Sequence, residues 1–154
     1  TYIHMGGKVG VIVEMTCTEK NDAVVEVAHD VALQIAAASP VAAEYVTRDE
    51  VKADHLQHET EILKAQARNE GKPENIIEKM VIGRIGKYYD QNCLMEQQYV
   101  KDDSMKVKAY VDATAKEFGG SIKVLGFVRF EKGEGIQKRE ENFADEVAKQ
   151  MAGK

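Results

Sequence analysis

Two charge-rich runs, residues 49–69 and 74–89, are separated only by the stretch EGKP at positions 70–73. Gly suits the position just past a helix end, where a left-handed φ is needed, and Pro suits the first turn of a helix, where its missing N–H costs nothing. The four residues therefore predict the tip of a helical hairpin, with Gly71 closing the first arm and Pro73 opening the second. Leu56, Leu63 and Ala67 can meet Ile76, Ile77, Met80 and Ile85 along a seam flanked by Glu59, Glu61, Lys64, Arg68, Glu78 and Arg84. So thin a seam leaves most of both helices in water. The chain must therefore build a base on either side of a projecting antiparallel coiled coil.

The flanking segments supply that base. YIHMGGKVGVIVEM, residues 2–15, alternates apolar with small or polar residues around Met5, Gly6 and Gly7, the pattern of a β-hairpin turned by glycines at positive φ. In its second strand Val9, Val11 and Val13 share one face, Gly10 and Ile12 the other. Val24, Val27, Ala28, Val31, Ala32, Ile35 and Ala36 recur at threes and fours, predicting an amphipathic helix capped by Asn21 or Asp22 and stopped at Ser39 and Pro40. That helix is the natural cover for the hairpin. After the polar stretch CLMEQQYVKDDS, Ser104 is placed to cap a helix bearing Val107, Tyr110, Val111, Thr114, Ala115 and Phe118, ended by Gly119 and Gly120. Ile122, Val124, Val128 and Phe130 then alternate as a third strand. GEG at 133–135 breaks it, and residues 137–151 predict a last helix with Phe143, Ala144, Val147 and Met151 on one face. The order predicts an α+β fold: a small antiparallel sheet packed by helices, a projecting helical hairpin and a C-terminal helix. The expected divisions are a core of residues 1–48 and 92–132, a coiled-coil insertion at 49–91 and a C-terminal helical module at 133–154.

A chain of 154 residues can bury a real core without staples. Cys17 and Cys93 form no paired motif, which fits a reducing compartment and predicts a cytoplasmic protein. No apolar run approaches the roughly 18 residues of a membrane span. A net charge of −5 offers no basic field for nucleic acid, so a protein partner is expected. His55 and His58 beside Glu59 share a helix face but lack a third ligand and the spacing of a two-His zinc helix. GGK at 6–8 and GEG lack the remaining residues of a phosphate loop, and neither cysteine has a sequence-marked base. An enzyme reading thus has no residue behind it, and neither metal nor cofactor is expected. His4 stays open between a solvated turn histidine and a ring presented at a rigid sheet edge for contact.

YIHMGGKVGVIVEM, ALQIAAASP followed by YVTRDEV, ILKAQARNEGKPENIIEKMVIGRIGKYY, CLMEQQYVKDDSMKVK and FVRFEKGEGIQKREENFADEVAKQ, in this order, resemble the translation elongation factor Ts family nearly end to end. The resemblance implies the same small sheet with packed helices, coiled coil and terminal module. It also implies a function, guanine nucleotide exchange on elongation factor Tu: the factor holds the GTPase while disturbing its magnesium and phosphate site, so GDP leaves without any bond being made or broken. Carried over by position, His4 and Gly7 at the sheet-edge turn, with Tyr99, Val100 and Lys101, face the third domain of the GTPase. Glu140, Phe143, Ala144 and Val147 match the module that leans on its nucleotide domain. Self-association through the sheet is a further expectation.

Two departures qualify what is implied. The family usually carries a more hydrophobic residue where Lys101 stands. It also carries a Thr-Asp-Phe-Val-Ala motif whose Phe wedges into the nucleotide domain, whereas after Glu14 this chain reads MTCTEKNDAVV. Either this is the C-terminal half of a longer factor, which a Thr start favours, or it is a compact form that has lost the motif. NFADEV at 142–147 echoes the motif but lies in the predicted terminal helix, so the wedge role is not transferred to Phe143. The rival reading from another class is an adaptor whose working surface is the coiled coil and which involves no GTPase.

Overall fold

The computed structural model describes residues 1–37 and 41–136. In chain order the elements are β1 (Tyr2–His4), β2 (Val9–Cys17), α1 (Asp22–Ala37), α2 (Ala53–Asn69), α3 (Glu74–Asn92), β3 (Gln98–Tyr99), β4 (Asp102–Lys106), α4 (Val107–Glu117) and β5 (Ile122–Glu131). β1, β2 and β5 form an antiparallel sheet in that spatial order, and β3 pairs with β4 in a separate short hairpin. The fold is α+β, as the element order predicts.

Strand alternation decides which face of the sheet is covered. Val9 and Val11 of β2 are buried and Val13 and Met15 half-buried, while Ile12 and Glu14 point the other way. α1 and α4 close the inner face, packing Val24, Val27, Val31, Ile35, Val107, Val111 and Ala115 against Val9, Val11, Ile122 and Val124. Each aliphatic side chain fully buried here stabilises the fold by about 1.5–3 kcal/mol. α1 starts where the Val24 N–H donates to Asn21 Oδ1 at 2.9 Å, so Asn21 is the cap. The stop expected at Ser39 and Pro40 lies outside the described residues.

Three expectations are corrected. Ile122, Val124, Val128 and Phe130 do not share a face: Glu14 pairs with Gly126 and Met15 with Val124, leaving Leu125 as an extra residue. A one-residue bulge reverses the alternation beyond it, so Ile122 and Val124 enter the core while Val128 and Phe130 are exposed. Ser104 caps no helix. It lies in β4, where its N–H and hydroxyl both donate to Asp102 Oδ1 at 3.0 and 2.6 Å, and α4 begins only at Val107. The first arm of the helical hairpin starts at Ala53, because a separate 3-10 turn occupies Arg48–Glu50 and Val51 is extended.

At the hairpin tip Gly71 takes φ +71°, and the N–H groups of Gly71 and Lys72 donate to the carbonyls of Arg68 and Ala67. Pro73 sits just before the first residue of α3. The seam consists of Ala67, Ile77 and Val81, with Leu63 and Ile85 packed against them. Ile76 is exposed, since 77, 81 and 85 form one stripe at spacings of four and 76 falls about 100° away from it. At the base, Tyr45 and Cys93 pair in a single parallel bridge, and the N–H groups of Leu94 and Met95 donate to the carbonyls of Tyr45 and Val46.

Candidate partner-binding edge

His4 ends β1 opposite Val9. Directly after it Met5, Gly6 and Gly7 take φ of +50°, +63° and +90°. Glycine enters this region freely, whereas Met5 costs about 1–2 kcal/mol there. The turn leaves His4 half-exposed at the strand end, its Nδ1 3.1 Å from the Tyr2 hydroxyl. The Tyr2 ring in turn meets the His29 ring of α1 edge-on, with centroids 5.1 Å apart. Nδ1 of His29 lies 3.4 Å from Oδ1 of its neighbour Asp30.

The 99–101 segment reaches the same carboxylate from the other side. Tyr99 is 6% exposed and its hydroxyl donates to Asp30 Oδ2 at 2.5 Å. The Tyr110 hydroxyl of α4 donates to that oxygen at 3.0 Å, and the two tyrosine rings stack with centroids 4.3 Å apart. The Lys101 ammonium donates to Asp30 Oδ1 at 2.5 Å. One helical turn along α1, Gln34 Oε1 accepts the Val100 N–H at 2.7 Å while its Nε2 donates to Gln97 Oε1 and to the Gln98 carbonyl, both at 3.1 Å. Gln97 Nε2 then donates to the carbonyls of Gln91 and Val41. Tyr99 faces inward and Val100 outward, 42% exposed.

Burial alone would raise the Asp30 carboxyl, but the donors Lys101, Tyr99, Tyr110 and His29 outweigh it and leave it below its usual range. Burial, and then the bond to Asp30, push the Tyr110 hydroxyl up to about 12, and the same two causes raise Tyr99 further.

Of the residues singled out from sequence, His4, Tyr99 and Lys101 are thus linked through α1, with Val100 at the loop tip and Gly7 exposed in the turn. Glu140, Phe143, Ala144 and Val147 lie outside the described residues. Asp30 and Gln34 were missed, although with His29 they are the polar residues in VAHDVALQIAAA, a signal at i, i+4 beside the apolar stripe. His55 is engaged with the Tyr45 hydroxyl at 2.8 Å, and among the described residues no three His, Cys, Asp or Glu come together as a metal site. Burial pushes the Cys93 thiol up to about 11, which leaves it a poor nucleophile. Gly133 and Gly135 form a positive-φ turn after β5. On the sheet face opposite α1, Ile3, Ile12, Val128 and Phe130 are exposed, with Ile12 beside Val128 and Phe130 beside Gly10. Among the described residues no helix is long and apolar enough to cross a membrane.

The arrangement fixes backbone and side chains at an edge, which is what a contact surface requires. Residues 1–134 match the family model described as Elongation factor TS. The proteins called Elongation factor Ts in Clostridium botulinum (strain Alaska E43 / Type E3) and Clostridioides difficile (strain 630) are 54% and 56% identical to it, over 98% and 97% of this chain. That of Clostridium kluyveri is 51% identical over the whole of this chain. The alignments cover 49%, 48% and 49% of those three proteins, so the chain spans about half the length of the curated relatives it matches. With a family match over so much of its length and identities above one half, this chain belongs to the elongation factor Ts family.

Proposed function

We propose that this chain serves guanine nucleotide exchange on elongation factor Tu, acting by protein binding without bond chemistry. Family membership supports the reading. The single structural observation that carries it is the linkage of His4 and the 99–101 loop through Asp30, which gives the two segments expected to face the third domain of the GTPase a common support. The proposed contact surface comprises His4, Gly7, Val100 and Lys101, with Tyr99 as the loop's inner anchor, and is extended by Glu140, Phe143, Ala144 and Val147. The core, the coiled coil at 49–91 and the module from 133 onward act as separate parts in this reading, and the outer sheet face associates with a second copy.

A partner that binds the nucleotide-free GTPase better than the GDP form lowers GDP affinity by that difference, and linkage makes GDP lower partner affinity equally. The deciding measurement is therefore titration with nucleotide-free and with GDP-loaded elongation factor Tu. Preference for the empty form is expected; equal binding to both overturns the exchange reading, and binding to neither favours the adaptor. His4→Ala should weaken binding several-fold with unchanged melting, and unchanged affinity would remove His4 from the surface. Because MTCTEKNDAVV lacks the wedge motif, release of a fluorescent GDP analogue should be slower with this chain than with one of its longer relatives at saturation. Equal rates would place the exchange mechanism in the sheet edge and the terminal module.

A further inference from the structure

Asp30 is 1% exposed, and a carboxylate so deeply buried is tolerated only when its oxygens are filled. The donors that fill them come from different parts of the fold: Tyr99 and Lys101 from the loop, Tyr110 from α4, and His29 from α1 at 3.4 Å. If the loop moves away, two of those donors leave and a buried charge is stranded. An apolar side chain at this position could pack as densely, yet it would hold the loop in no particular conformation. Gln34 completes the arrangement by accepting the Val100 N–H, so a turn of α1 grips both side chains and backbone of the 99–101 segment. The bond to Asp30 also ties down the Lys101 ammonium, while the Lys101 side chain as a whole stays 45% exposed.

We propose that Asp30 is the positioning residue of the partner-binding edge: it touches no partner itself and sets the conformation in which Val100 and Lys101 are presented. The proposal rests on the functional reading above. It predicts that binding depends on a charge inside the core, because a loop ordered beforehand does not spend affinity on being ordered at contact.

Asp30→Asn tests it. With the amide oxygen kept toward the tyrosines, its NH2 group faces the Lys101 ammonium, donor against donor, and the lysine arm is lost. Affinity for nucleotide-free elongation factor Tu should fall about tenfold, the scale of a lost charge-assisted bond. Amide hydrogen exchange should speed up at Val100 and Lys101 while the amides of Val27, Val31 and Val111 keep their protection. Unchanged affinity, unchanged exchange at Val100, or exchange rising uniformly through the core overturns the proposal. Should Asp30→Asn fail to fold, Tyr110→Phe removes a single donor from α4, away from the loop, and is judged by the same two readings with an affinity loss of about threefold. If the unaltered chain does not bind the GTPase at all, the functional reading fails instead. The exchange pattern at Val100 then decides whether Asp30 holds the loop.

Discussion

Tyr99 and Tyr110 share one carboxylate oxygen, so ionising either would set a second negative charge beside Asp30 away from water. Their hydroxyls are raised above the ordinary value of 10.0, Tyr110 to about 12. A group raised in the folded state contributes stability that is intact below its ordinary value and lost as the pH climbs through the raised one. Tyr88, pushed up to about 12 chiefly by burial, adds to the same window. We expect tyrosinate absorbance to develop in two stages during alkaline titration, the later one coinciding with unfolding near pH 12, and Tyr110→Phe to shrink the later stage. A single stage at the ordinary value would mean that the pair is accessible. Asp30 acts in the opposite direction. Its carboxyl is lowered, so its contribution is complete above the ordinary 3.8 and disappears as the pH falls below it. Asp30→Asn should therefore flatten the acid limb of the stability profile, measured as denaturant midpoints against pH.

The helical hairpin has its own small cluster and returns to the core at one bridged pair, Tyr45 and Cys93. Replacing residues 56–87 with a short Gly/Ser linker keeps Tyr45, His55, Tyr88 and Tyr89 at the base and changes little but loop closure. A cooperative melt of the shortened chain is expected; a broad one would show that the arms help build the core. Ile77→Ala should cost the hairpin about 2–5 kcal/mol, read as lost helicity with the sheet's amide protection retained. This arm and α1 were legible in sequence because a period of 3.6 declares itself over sixteen or more residues. The β3–β4 hairpin was not, since two paired positions carry no period and its ordering contacts come from Asp30 and Gln34, more than sixty residues away in sequence. The faces of β5 were misread for a related reason: a bulge belongs to the pairing of two strands, and the even spacing of the apolar residues 122, 124, 128 and 130 does not betray it. At the site, His4 and the loop were legible through family resemblance alone, while their common support on α1 required the fold.

Across the whole molecule the sheet divides a covered face from an apolar one, where Ile3, Ile12, Val128 and Phe130 are exposed together. Such a patch marks an interaction surface in many proteins. The expectation of self-association gives a sedimentation coefficient that rises with concentration and a Phe130→Glu variant that stays monomeric. A wild-type chain monomeric at every concentration would discount the second copy. The extra residue Leu125 bears directly on that face. The tip at residues 70–73 joins two solvated arms, so a longer tip changes only how far the arms reach. At Leu125 the strand carries one residue more than its partner requires. Because Leu125 is the residue without a partner, deleting it would make the ladder regular and leave Ile122, Val124, Phe127 and Arg129 facing α1 with Val128 and Phe130 facing out. The bulge thus holds one residue in reserve, and the gene could lose the codon for Leu125 without turning either face of the sheet.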